Sequence, residues 1–247
     1  MTSETYSKHY QDQQAVDRYE KTIYKPGGHD DVIWQVEQML MHRLLRRHRP
    51  DHKQAKAMDF ACGTGRVSVF MHPLVKSLVC CDISPQMLEK ARAKLPEGDF
   101  RCVNILDAPE AVPGDMDLIT CFRFLLLAEP KLREAVVTKL ATKLADDGVL
   151  IFSLHGNPCS YRAIAHLRNR LITRSRNPLK HFGMGDMRRL ADLAGLRIVG
   201  ATGAGYLPHG IAKLLPTGLF RGFERLFAGW PVLWRFGSNL LVVCKRK

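Results

Sequence analysis

Lys56-Ala57-Met58-Asp59-Phe60-Ala61-Cys62-Gly63-Thr64-Gly65 is the stretch that decides the fold. Residues 56–61 have the pattern of a short strand, and the small residues after it form a tight turn before a helix that starts near Arg66. Such a turn lets a ligand approach the backbone closely and aims the amides of a helix start at it. Outward from this point, apolar or β-branched runs recur at 77–82, 99–104, 116–122 and 148–154. Helical patterns at 65–72, 85–94 and 130–145 separate them. Ser84 caps and Pro85 opens one of these helices, Pro130 opens another, and Gly148 follows its end. Strands alternating with helices indicate βαβ units, an α/β class and a parallel sheet.

A carboxylate, Asp82, ends the 77–82 run, 17 residues beyond Gly65. At the carboxyl end of the next strand it is placed to accept both hydroxyls of a ribose. A helix cap in Asp82-Ile83-Ser84-Pro85 explains the same residues without a ligand. The turn lacks the Gly-x-Gly-x-x-Gly spacing of nicotinamide dehydrogenases, which also pair a glycine turn with an acidic residue.

Taken together, the Asp59 to Gly65 turn, Asp82 and the Phe122-Arg123-Phe124 end of the fourth strand resemble the class I S-adenosylmethionine-dependent methyltransferases. The resemblance covers about residues 55 to 155 well and the remainder only as strand order. It implies a Rossmann-like seven-stranded mixed sheet in the order 3-2-1-4-5-7-6, with the last strand antiparallel, helices on both faces and C-terminal insertions. It also implies S-adenosylmethionine as cofactor, held by Asp59, Ala61, Cys62, Gly63 and Gly65, with Asp82 on the ribose and Ile83 against the adenine. Asn104 and Ile105 take the family's adenine-side positions after strand three, with Asp107 a rival, and Phe122 borders the methyl group. Ala61 stands where the family has its first glycine, which requires that this position not adopt a glycine-only conformation.

The rest of the chain reads as additions to one domain spanning residues 1–247: an N-terminal helical cap (1–50), the cofactor-binding half (55–155) and substrate-side insertions at 156–183 and 204–237. The cap contains an amphipathic helix at 30–47 with Val32, Ile33, Val36, Met39, Leu40 and Leu44 on one face. Tyr10, Tyr19 and Tyr24 either close over the cofactor or simply pack. A helix at 186–194 and strands at 196–202 and 239–244 complete the pattern. Methyl transfer is a displacement that needs alignment and exclusion of water more than acid–base help. If the acceptor is a hydroxyl, His155, just beyond strand five, is the first candidate base and His181 the second. Arg123 is a candidate for substrate contact, although an ion pair would explain it as well.

The formal net charge is +13 in 247 residues. From residue 155 onward 16 Lys and Arg face only Asp186, Asp192 and Glu224, so the excess lies entirely in that part. Phe220, Phe223, Phe227, Trp230 and Trp234 alternate there with Lys213, Arg221, Arg225 and Arg235. This pattern is either the packed cover of the sheet's open end, or a lid that receives an apolar acceptor or rests on an anionic membrane surface. Arg162, Arg168, Arg170, Arg174 and Arg176 either form a solvated face or bind phosphate or carboxylate. The favoured function is O-methylation of a small or lipid-linked acceptor with an anionic part. The alternatives are a nucleic-acid methyltransferase, for which the basic part would be the electrostatic footprint, and a non-catalytic cofactor-binding module. The seven cysteines have no disulfide or zinc spacing; Cys62, Cys80, Cys81, Cys102 and Cys121 read as small core residues, and no metal is expected. With no signal-peptide pattern and no apolar run near a membrane span, the expectation is a cytoplasmic protein, at most peripheral to a membrane.

Overall fold

The computed structural model describes residues 25–163, 181–228 and 230–247. Tyr10, Tyr19, Tyr24 and the arginines at 168, 170, 174 and 176 lie outside the described residues. Helix α1 (His29–His48) is followed by β1 (Lys56–Phe60), α2 (Arg66–Met71), β2 (Ser77–Asp82), α3 (Pro85–Lys94) and β3 (Asp99–Cys102). Then come β4 (Met116–Cys121), α4 (Pro130–Lys143), β5 (Leu144–His155), α5 (Met184–Leu193), β6 (Leu196–Ala204), α6 (His209–Ala212), α7 (Thr217–Ala228) and β7 (Asn239–Arg246). The sheet has seven strands in the order β3-β2-β1-β4-β5-β7-β6. Strands β1 to β5 pair in parallel, whereas β7 runs antiparallel to both β5 and β6. This is the order that the methyltransferase resemblance implies.

The strands alternate their side chains between two packed faces, as a sheet covered on both sides requires. Ala57, Leu118, Val149, Ile151, Leu241 and Val243 pack toward α1. Met58, Ile119, Leu150, Phe152, Leu240 and Val242 meet α4 and α5 on the other face. The Ser84 hydroxyl accepts from Met87 N at 3.2 Å, which caps α3 as its sequence indicates.

Two details differ from the reading of the sequence, and a third decides between its alternatives. Strand β5 starts at Leu144, immediately after α4, and its register against β4 shifts between Met116 and Leu118. Gly148 therefore lies within the strand, where an added Cβ would stand 2.7 Å from the Met116 carbonyl oxygen. Cys102 is exposed at the end of the short edge strand β3, not a core residue. Of the aromatic residues read either as packed cover or as a lid, most follow the packed cover: Phe220 is buried and stacks on His29 at 5.4 Å. Phe223 and Phe227 stack on each other at 4.2 Å and Trp234 is half-buried, so only Trp230 of the five is exposed.

Helix α7 turns Phe220, Glu224 and Ala228, one turn apart, toward the protein body. The Glu224 carboxylate is fully buried and accepts from the backbone amides of Gly205 (2.9 Å), Tyr206 (2.9 Å) and Leu207 (3.1 Å), which latches α7 to the end of β6. No helix among the described residues is long and apolar enough to cross a membrane.

Candidate active site

The order of the sheet reverses between β1 and β4, and such a switch point opens a crevice beyond the strands' carboxyl ends. A cavity of about 350 Å³ lies there. On its β2 side it is lined by Gly63, Asp82, Ile83 and Met87. On its β4 and β5 side it is lined by Trp34, Glu37, Arg66, Phe122, Arg123 and His155.

The turn after β1 is held by backbone bonds: Cys62 N donates to Cys81 O and Gly65 N to Cys62 O, both at 3.0 Å. Ala61 and Gly63 both have φ 55° and Gly65 has φ 80°, so position 61 does sit in the left-handed region, contrary to what the sequence reading required of it. A Cβ on Gly63 would meet nothing within 4 Å, which leaves its backbone open to a ligand. Gly65 serves packing instead: its Cβ would come within 2.9 Å of Ala91 Cβ on α3.

Asp82 is positioned by two amides, Gly63 N at 2.8 Å on Oδ2 and Ser84 N at 2.9 Å on Oδ1. A carboxylate oxygen accepts more than one hydrogen bond, so each remains able to take a ribose hydroxyl. Burial pushes the Asp82 carboxyl above the usual range, offset in part by these backbone bonds. The cradle therefore fits a nucleoside: an open glycine, an oriented carboxylate, and apolar Ile83, Met87 and Val103 beside it.

Asp59 borders the same cavity but its oxygens serve the chain. Ser68 Oγ donates to Oδ2 at 2.6 Å and Thr120 Oγ1 to Oδ1 at 2.8 Å, tying β1 to α2 and β4. Burial, the dominant influence, raises its pKa to about 6. Cys62 also lines the cavity, and burial drives its thiol well above the ordinary value, which leaves it uncharged and unreactive.

The remaining residues singled out in the sequence divide. Ala61, Ile83, Phe122, Arg123 and His155 line the cavity, whereas Asn104, Ile105, Gly65 and His181 do not. Asn104 closes a turn, accepting from Leu106 N at 3.1 Å and donating to Asp107 Oδ2 at 2.6 Å. Ile105 is buried in the core, and Val103 occupies the cavity wall in its stead. His181 is exposed.

His155 Nδ1 is buried and has no hydrogen-bond partner among the described residues. Burial, then the charges of Arg123, Arg162 and Arg66, holds its pKa well below the ordinary 6.5, so the ring is neutral. Arg123 (φ 56°) lies 4.0 Å from Asp30 of α1, and the Arg66 guanidinium stacks 4.6 Å above the Trp34 ring. Glu37, which sequence reasoning missed, is 2% exposed. Its Oε1 accepts from Asn239 Nδ2 at 2.9 Å, and Asn239 pairs with His155 in the β5–β7 register. The signal was present: Glu37 is an acid on the apolar stripe of α1, one turn from both Ile33 and Met41.

Residues 57–148 match the family model of a methyltransferase domain. Over these residues the chain carries a methyltransferase domain. Over 209 residues it is 24% identical to the ubiquinone biosynthesis O-methyltransferase of Chromobacterium violaceum, covering 80% of this chain and 88% of that one. The protein of that name from Neisseria meningitidis is 25% identical over 171 residues, 63% of this chain and 69% of its own. Among solved structures, the magnesium protoporphyrin IX methyltransferase of Synechocystis PCC 6803 with bound SAH superposes with a TM-score of 0.66 at 16% identity, covering 99% of both chains. The Synechocystis enzyme has also been solved with bound SAM, at a TM-score of 0.56 and 18% identity to this chain.

Proposed function

We propose that this methyltransferase methylates a hydroxyl of a small or lipid-linked acceptor that also bears an anionic part. The observation that carries this reading is the composition of the cavity's β4 and β5 side: a neutral, buried, unpartnered imidazole nitrogen beside two guanidinium groups. Asp82 and the Gly63 turn supply the donor's place on the opposite side. When bound, S-adenosylmethionine supplies an electrophilic methyl group on a sulfonium sulfur.

In this reading Arg123 and Arg66 hold the acceptor's anionic part, and His155 Nδ1 takes the hydroxyl proton as the oxygen becomes nucleophilic. The two roles reinforce each other. The arginine charges depress the basicity of His155, so an anion bound to them restores it. Glu37, which lines the cavity and whose Oε1 accepts from Asn239, is a second acceptor for the hydroxyl proton and fixes the Asn239 side of the cavity. Trp34 and Phe122, edge to face at 6.4 Å, exclude water around the reacting atoms. The relatives that carry an O-methyltransferase name lend modest support to oxygen over nitrogen.

The test has two stages. Asp82→Ala should weaken S-adenosylmethionine binding about 10²- to 10⁴-fold in calorimetry, because it removes two hydrogen bonds to a charged acceptor worth roughly 1.5–3 kcal/mol each. Against a panel of hydroxyl compounds bearing carboxylate or phosphate, His155→Gln should then lower kcat by about 10²- to 10⁴-fold with donor affinity unchanged. Donor binding without turnover would favour the non-catalytic alternative, and a methyl group found on nitrogen or carbon would overturn the choice of oxygen.

A further inference from the structure

The segment from α6 to the turn at Leu233–Phe236 leaves many of its apolar side chains in solvent. Among the described residues, eight of the ten large hydrophobic side chains that are exposed fall between Ile211 and Phe236. Leu214 is 83% exposed, Val232 68%, Leu219 66% and Trp230 58%. This is not loose packing. Phe220, Glu224 and Ala228 commit one face of α7 to α1 and β6, and the Glu224 latch fixes the helix in that rotation. Leu219 and Leu226, seven residues apart, therefore share an outward stripe. Arg221 and Arg225, four apart, form a second stripe beside it.

The accessible charge of this segment has one sign. From residue 205 to the end of the chain Glu224 is the only acidic residue, and it is fully buried. Lys213, Arg225 and Arg235 are exposed and Arg221 is partly so. An apolar segment flanked by cations, with no accessible acidic residue of its own, is complementary to the boundary between acyl chains and anionic headgroups. A second copy of the chain fits poorly, because a two-fold contact would set the same cations against one another. A nucleic acid fits poorly as well, since Leu214, Leu219, Leu226 and Val232 offer it neither stacking nor hydrogen bonds.

We propose that Ile211 to Phe236 is a docking surface for an anionic phospholipid bilayer, with α7 lying in the interface plane. At 12 residues α7 is too short to span one. Because α7 packs on α1, which lines the cavity through Trp34 and Glu37, docking brings the cavity wall to the bilayer. Only the extension that a lipid-linked acceptor enters from there rests on the acceptor reading.

The experiment is flotation of the full chain with phosphatidylcholine vesicles and with vesicles that also contain phosphatidylglycerol. The chain should float with the anionic vesicles only, and added salt should release it. Arg225→Gln combined with Arg235→Gln should weaken partitioning roughly 30-fold, at about fivefold per cation. Leu219→Glu combined with Leu226→Glu should abolish it. Both variants should keep the wild-type melting temperature and affinity for S-adenosylhomocysteine, which separates lost docking from lost fold or donor site. Failure to float with anionic vesicles, equal flotation with both kinds, retention on RNA in preference to vesicles, or an oligomer that Leu219→Glu dissociates would each overturn the proposal. None of these outcomes bears on whether the enzyme methylates oxygen.

Discussion

Ala61 and Arg123 both hold a left-handed backbone and both border the cavity, but the strain means different things at the two positions. At Arg123 the unusual φ carries the side chain into the cavity wall, so removing the residue would remove the group with the strain. At Ala61 the side chain is a single methyl group, and the left-handed turn is what the protein needs. The conformation costs an L-residue about 1–2 kcal/mol, of which glycine would give back all but the roughly 0.5–1 kcal/mol of its greater unfolded-chain entropy. Ala61→Gly is therefore expected to stabilise the protein by about 0.5–1 kcal/mol, a rise of about 1–4 °C in melting temperature for a chain of this size. A thermal melt showing a decrease would mean that the Ala61 methyl contributes packing that outweighs the strain.

At the scale of elements, Glu224 decides where α7 goes. Burial raises its pKa despite three backbone hydrogen bonds, yet those amides have no other acceptor in that arrangement. Glu224→Gln supplies one carbonyl oxygen and an NH₂ group that faces donors, leaving at least one buried amide unpaired. The expected loss is about 1–3 kcal/mol. Amide exchange should show it first in residues 217–228 and 205–207, because α7 is freed before the sheet; uniform exchange across β1 and β4 would contradict this. The latch also shows where sequence legibility ended. Strands β1, β2 and β4 were readable because they are short, apolar and buried on both faces. The start of β5 was not, since Ala145, Asp146 and Asp147 look like a loop and only the pairing of Leu144 with Met116 makes a strand of them. The charge pattern of 204–237 was visible, but which aromatic residues turn inward depends on the Glu224 latch, a contact between elements that no local periodicity encodes. Asp82 was legible because its role belongs to a local motif. Glu37 faces the cavity only because α1 crosses the strand ends, and Asn104 was assigned to the ligand because strand order alone does not show which of two neighbours turns inward.

Across the whole molecule, buried ionisable groups pull stability in opposite directions with pH. Asp59 titrates near 6 in the fold against 3.8 when exposed, so the fold prefers it protonated. That contribution is fully present below pH 3.8 and is lost as pH rises through about 6. The four buried or half-buried histidines His29, His42, His48 and His155 are all held below 6.5, chiefly by burial, so the fold prefers them neutral. Their contribution is present above pH 6.5 and is lost as pH falls below it. Opposed titrations flatten the pH profile of the wild type and hide each component. Substitution separates them: Asp59→Asn removes the acidic group while an amide retains polar contact with Ser68 and Thr120. The stability of the variant relative to wild type should therefore increase between pH 4.5 and pH 7.5 by on the order of 2 kcal/mol, about 4–8 °C in the difference of melting temperatures. The same difference between His155→Gln and wild type should run the other way, rising as pH falls below 6.5, because that variant no longer loses the stability that acid takes from the buried imidazole. Parallel melting curves for Asp59→Asn and wild type over this range would show that Asp59 keeps its ordinary titration in the fold, and that the clasp between β1, α2 and β4 is ionised across most of it.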